Sequence, residues 1–325
     1  MATTGDGLIF AMMLDGRGGA AELDWPGVES HWHDDALVWV HLDCTQDRVK
    51  AWLKDSSGLD ADTADALVVQ ESRPRSHVVG DGLQINLRGV NLNPGADPED
   101  MVSLRMWVEH NRVITLRRDK LLAVEDVHEQ LTQGKGPNDA PGMLIALAQR
   151  LVGRVGAVVN ELDDETDALE EEVLTHETYA LRSRISNTRR KAIKIRRFLS
   201  PQRDALSALR GVELSWLDAS DRARLRDVAD LVTRYVEDLD LIRDRAVVIQ
   251  EELGSRLAEH SNRTLYMLSM VATIFLPLGL LTGLLGINVG GMPGVDSPWA
   301  FAAVCVALVV LSIIEIIILR ALKWL

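Results

Sequence analysis

Residues 265–285, LYMLSMVATIFLPLGLLTGLL, and residues 300–319, AFAAVCVALVVLSIIEIIIL, decide the fold. The first stretch carries no charge and the second only Glu315, and each matches the roughly 20 apolar residues that cross a bilayer core. They predict two membrane-spanning helices. The intervening 286–299 is short and rich in Gly and Pro, so the spans form an antiparallel hairpin closed by an external loop, with both ends on one side. That side carries Arg256 and Arg263 before the first span and Arg320 and Lys323 after the second, whereas the loop has no Lys or Arg and one acid, Asp296. The excess of basic residues places the N-terminal region and the tail 320–325 in the cytoplasm of a multi-pass inner-membrane protein. The N-terminus MATTGDGLIF lacks a basic region followed by an apolar core, so no signal peptide is expected.

One hairpin has no interior, so a membrane part that conducts must be built from several copies. Upstream, Leu225, Val228, Val232, Tyr235, Leu239, Ile242, Ala246, Ile249, Leu253 and Leu257 recur at spacings of three and four. Such a seam packs helix on helix, either between subunits or inside one chain's bundle. No Pro occurs from Ser220 until Pro277. A stalk over 220–264 and the span 265–285 would then form one helix of about 66 residues, roughly 100 Å long at 1.5 Å per residue.

Residues 1–137 mix short β-rich runs (8–14, 36–42, 83–90, 102–116) with helical segments and turns such as GRGG and NPGADP, the pattern of an α/β sheet domain. After GKGPNDAPG, residues 138–219 read as antiparallel helical arms: 161–172 holds eight carboxylates and 182–197 eight basic groups without an acid. The belts would neutralise each other across the contact or between subunits, or shape the field at a cytosolic pore mouth. The fold class is therefore an α+β cytosolic domain, a sheet domain plus long helices, followed by a transmembrane hairpin.

Ordinary composition, 47% hydrophobic and 26% charged, excludes a disordered chain, and a formal net charge of −13 disfavours nucleic acid and anionic lipid headgroups while suiting a cationic partner. Cys44 and Cys305 are the only cysteines, far apart and outside any metal or redox spacing. HWHDD at 31–35 has donor types for zinc but lies in a polar connection, and the remaining histidines are scattered. With no P-loop, nucleophile elbow or phosphate-binding glycine fingerprint, neither an enzyme nor a cofactor is indicated. The loop after the first span differs: Gly286, Ile287 and Asn288 end a candidate pore helix. Arranged in a ring, their carbonyls and the Asn288 carboxamide would hydrogen-bond the water shell of a hydrated dication, but from these residues alone a plain Asn-capped turn is the stronger reading, because such turns are common.

ATIFLPLGLLTGLLGIN at 272–288, GGMPG at 290–294 and the terminal KWL resemble the pore of the CorA metal-ion transporter superfamily, most closely its zinc-transporter ZntB branch. LDGRGG at 14–19, ESRPR at 71–75 and RRFLSPQRD at 196–204 extend the resemblance along nearly the whole chain. It implies a funnel-shaped homopentamer whose first span lines the pore and whose second span surrounds it. Carried over residue by residue, the filter motif falls on Gly286, Ile287 and Asn288, and the pore stripe on Asn262, Leu265, Leu268, Leu276, Gly279 and Thr282. Ile287 departs from the superfamily's Gly-Met-Asn, which weakens magnesium as the native ion.

The resemblance also implies a regulatory metal in the cytosolic part, with Asp227 as a candidate ligand beside its plain reading as a solvated helix acid. Protons are implied as a second ion in the zinc branch, and Glu315 serves either as their carrier or as a structural partner of Arg320 or Lys323. The expected function is uptake of a divalent cation, zinc foremost. The alternatives are a magnesium, cobalt or nickel channel of the same architecture, or a membrane-anchored cytosolic sensor or scaffold.

Overall fold

The computed structural model describes residues 6–69, 73–175, 179–287, 294 and 297–322. Its contacts divide the chain into two compact units, Met1–Glu251 and Glu252–Leu325.

In the first unit β1 (Leu8–Leu14), β2 (Ala20–Leu23), α1 (Trp25–His31), β3 (Val38–Asp43), α2 (Asp47–Asp55) and α3 (Ala61–Val68) precede β4 (Arg75–Val79), β5 (Gly82–Gly89), β6 (Val102–Val108) and β7 (Arg112–Arg117). Then come α4 (Leu122–Thr132), α5 (Ala140–Thr175), α6 (Tyr179–Ala208) and the start of α7 (Ala219–Leu285). The strands form one seven-stranded sheet in the order β2-β1-β3-β7-β6-β5-β4, in which only β3 and β7 run parallel. The single apolar run read at 102–116 is two strands, β6 and β7, turned back at Glu109–Asn111. Periodicity alone does not mark that turn, because the three residues that reverse the chain contain neither Gly nor Pro.

Strand alternation gives the sheet two differently covered faces. Met12, Leu83, Ile85, Leu87, Leu104, Met106 and Val108 pack into the core formed with α4, α5, α6 and α7. Val38, Val40, Leu42, Trp107, Ile114 and Leu116 belong to a second core shared with α1, α2 and α3. Helix α5 contains a window apolar enough to cross a membrane, yet 67% of that window is buried. Its apolar residues are spent on the protein core rather than on lipid.

The spacing seam on α7 is consumed inside the chain. Leu225, Val228, Val232, Leu239, Ile242, Ala246 and Ile249 are all buried in the single subunit, so the intramolecular reading of this seam holds. The Tyr235 side chain of α7 reaches across to Gly156 of α5, where a Cβ would collide with the Tyr235 hydroxyl and approach its ring carbon to 2.7 Å.

The charged belts do not simply face each other. Arg184 pairs with Glu172 across α5 and α6, but Asp163, Asp167 and Glu170 converge on Arg245 of α7 at 3.0, 2.5 and 2.7 Å. The basic arm turns elsewhere, with Lys194 3.2 Å from Asp100 and Arg196 2.6 Å from Asp240. Three exposed carboxylates around one arginine form a network in which each pair contributes little alone.

His41 on β3 is fully buried. The Thr115 hydroxyl accepts from Trp39 Nε1 at 2.8 Å and donates to the Val40 carbonyl at 3.1 Å, so its 2.8 Å contact with His41 Nδ1 is an Nδ1–H donation. Nε2 is left buried without a partner. Burial, reinforced by the Arg117 charge, holds His41 well below its usual value, and burial also lowers His128, which stacks on the same Phe10 ring. Both rings fold neutral, whereas the unfolded chain protonates them near pH 6.5, so stability is full above that value and falls as pH drops below it. Each histidine contributes a slope of up to about 1.4 kcal/mol per pH unit. His41→Asn is therefore expected to flatten the loss of stability between about pH 6.5 and 5, followed by denaturant unfolding at each pH. An unchanged slope would remove His41 from the account.

Candidate ion pathway

In the second unit α7 continues to Leu285, and α8 spans Ala300–Ala321. The most apolar window of α7 is 0% buried and that of α8 6%. Phe275 is 66%, Leu276 70% and Phe301 82% exposed. No water-soluble helix tolerates apolar surface on this scale, and a bilayer accommodates it.

At 100° per residue, Asn262, Leu265, Leu268, Leu276, Gly279 and Thr282 fall within roughly 160° of one another on α7. All six are exposed. Two of them also serve a second purpose: Gly279 and Thr282, with Phe275 and Leu278, line a groove of about 340 Å³ whose other wall is Leu308, Val309 and Ser312 of α8. Spacing of 275, 278, 279 and 282 puts these residues on one face of α7, the face that lines the groove, and a Cβ at Gly279 would meet no atom within 4 Å. That groove was missed in the sequence, because its two walls lie about 30 residues apart along the chain. Thr282 Oγ1 returns to its own helix, donating to the carbonyls of Leu278 at 3.0 Å and Gly279 at 3.2 Å.

At the end of α7, Gly286 N donates to Thr282 O at 2.9 Å and Gly283 O at 3.2 Å. A Cβ at Gly286 would lie 3.1 Å from the Thr282 carbonyl, tight enough to disturb that closing turn. Ile287 follows, 48% exposed. Asn288 lies outside the described residues, as does Lys323.

Glu315 shares the α8 face of Leu308, Ser312 and Leu319, the last only 4% exposed. Its Oε2 is buried without a hydrogen-bond partner among the described residues. Arg320, five residues on, forms no ion pair with it, since helical pairing needs a spacing of three or four.

Elsewhere the expected ligands stay apart. Asp227 is an exposed acid on α7, and His31, which ends α1, pairs with Asp34 at 2.8 Å. Among the described residues no group of three or more His, Cys, Asp or Glu is placed to hold a metal.

The CorA-like Mg2+ transporter protein family matches residues 34–321. The divalent cation transporter CmaX of Pseudomonas aeruginosa is 40% identical over 329 residues, covering 98% of this chain and 97% of that protein. A solved structure of full-length CmaX superposes with a TM-score of 0.86 at 39% identity, covering 98% of both chains. The zinc transport protein ZntB of Pectobacterium carotovorum is 34% identical over 305 residues, covering 94% of this chain and 92% of the relative. With its sheet domain, its long helix leading into exposed apolar surface and these matches over nearly its whole length, the chain belongs to the CorA-like transporter family.

Proposed function

We propose that this protein carries divalent metal cations, zinc foremost, inward across the inner membrane through the axis of a homopentamer, with both termini in the cytoplasm. The observation that carries the reading is the fully exposed apolar end of α7, which stops at Gly286 and Ile287, where the chain supplies carbonyls and then the Asn288 carboxamide. A ring of such ends offers a hydrated dication oxygen partners at the mouth and a mostly apolar wall below, which gates by wetting and dewetting. An inside-negative potential of about 100 mV favours entry of a dication by roughly 4.6 kcal/mol, so the route needs no nucleotide. Similarity to ZntB supports zinc, while the higher identity to CmaX supports a broader divalent range. Magnesium, cobalt and nickel are accordingly the rival cargoes, and a non-conducting membrane anchor is the rival of another class.

Purified protein reconstituted in liposomes around a zinc-sensitive dye tests this. Saturable zinc entry, with competition by magnesium, cobalt and nickel setting the order of preference, is the expected result. No entry of any of the four into vesicles holding correctly oriented oligomers would leave the anchor.

A second reading concerns protons. Glu315, with a buried and unpartnered carboxylate oxygen inside an apolar helix, is the residue we read as responding to a proton gradient. Glu315→Gln is expected to abolish stimulation of zinc entry by an inward proton gradient while leaving gradient-free entry in place. Retained stimulation would assign Glu315 a structural role.

A further inference from the structure

The sheet face under α3 holds polar groups that the transport reading does not use. On β5, Leu83, Ile85 and Leu87 point into the core beneath α4 and α5, so Gln84 and Asn86 point the other way. Among the described residues, Gln84, 5% exposed, has no hydrogen-bond partner for its Nε2, and Asn86, 1% exposed, has none for Nδ2 or Oδ1. Across the ladder Gln84 stands opposite Trp107 of β6, whose Nε1 is likewise buried and unpartnered, and opposite His77 of β4. Asn86 stands opposite Arg75. Asn86 also faces the buried Arg105 of β6; buried polar atoms are almost always paired, and of these groups it is Gln84 whose amide borders open space.

That open space is a cleft into which a partner for the Gln84 amide fits. A cavity of about 580 Å³ opens between α3 and β4, lined by Asp60, Asp62, Thr63 and Ala66 on one wall, Arg75, Ser76, His77 and Val79 on the other, and Gln84. The side built from β4 and β5 is rich in donors: the Gln84 amide, the Arg75 guanidinium and the His77 ring. The opposite wall is acidic. Asp60 is engaged by Thr63, accepting from its N at 2.9 Å and its Oγ1 at 2.7 Å, whereas Asp62 is exposed and makes no such bond. A simple anion would meet Arg75 and Gln84 but be repelled by the two aspartates, and a simple cation would meet the reverse. A small zwitterion satisfies both walls at once.

We propose that the cleft between α3 and β4 binds a small zwitterion of the α-amino acid class, its carboxylate received by Gln84 and Arg75 and its ammonium by Asp62 and Asp60. The site is in the sheet domain and does not depend on which ion crosses the membrane.

Titration calorimetry on the full-length protein in detergent, with glycine and L-alanine as probes and acetate and methylammonium as half-molecules, tests it. Saturable binding of the amino acids at millimolar concentration, with neither half-molecule binding comparably, is expected. Gln84→Leu and Asp62→Asn should each weaken that binding by about tenfold or more, the effect of one charge-assisted hydrogen bond. Asp62 is exposed, so its variant keeps the fold even where a change at the buried Gln84 does not. Absence of saturable binding in the parent protein, binding of acetate as tight as that of glycine, or binding indifferent to Asp62→Asn would each overturn the proposal.

Discussion

Gly156→Val is expected to push the half-buried Tyr235 ring aside and to lower the stability of the first unit by about 1 kcal/mol, the lower range for overpacking, because the atoms struck are the tip of a side chain. The reason is local. Even a Cβ at 156 would strike the Tyr235 hydroxyl and lie 2.7 Å from its ring carbon and 3.4 Å from the next, and valine adds two methyl groups beyond it. A glycine in a helix interior costs about 1 kcal/mol relative to alanine, so the gain in helix preference offsets part of the clash with Tyr235. Thermal or denaturant unfolding of Gly156→Val should show the loss, and Tyr235→Leu in the same chain should restore part of it, since the two positions are coupled by direct contact. If the double variant is no more stable than the single one, the clash with the Tyr235 ring is not the source of the loss.

Asn288→Ala is expected to reduce divalent-cation entry about a hundredfold without preventing assembly. A net hydrogen bond contributes about 1 kcal/mol, and in the pentamer proposed above the substitution removes five carboxamides from one water shell together. Expression of little more than half that sum, about 3 kcal/mol, already corresponds to roughly a hundredfold. Liposome flux gives the first quantity and the oligomer's elution volume the second. Flux equal to that of the parent protein in intact oligomers would remove Asn288 from the filter and return this segment to an ordinary capped turn.

Residues differ in how openly the sequence declares them. The apolar spans were legible because a bilayer requires about 20 uncharged residues in a row, and no buried helix of this chain matches their hydropathy: the third candidate, in α5, is weaker and two-thirds buried. Strand β1 was legible from its run of apolar residues, whereas β2, AAEL, and β4, RSHVV, were not. Both lie at the sheet edges, where half-exposed positions blur the alternation. The charged belts were legible as belts, but not that Arg245, 75 residues beyond Glu170, would gather three of the carboxylates. Pairing across such a distance follows from the packing of α5 on α7 and leaves no local trace.

The candidate pathway divides the same way. Gly286, Ile287 and Asn288 were singled out only through the resemblance to known pores, since by themselves they read as a capped turn, whereas Glu315 stood out locally as a charge within an apolar run. The groove between Phe275, Leu278, Gly279 and Thr282 and the helix bearing Ser312 was not legible, nor was the cleft floored by Gln84, whose residues come from three elements.

By itself, then, the sequence determined the order of the parts and the medium each faces, since hydropathy and charge act residue by residue on transfer from water. Tertiary structure alone decided that the α7 seam closes inside one subunit, which carboxylates share Arg245, and which polar groups remain buried without partners. Those outcomes depend on which surfaces meet when the chain packs, and the meeting of surfaces is a property of the whole fold.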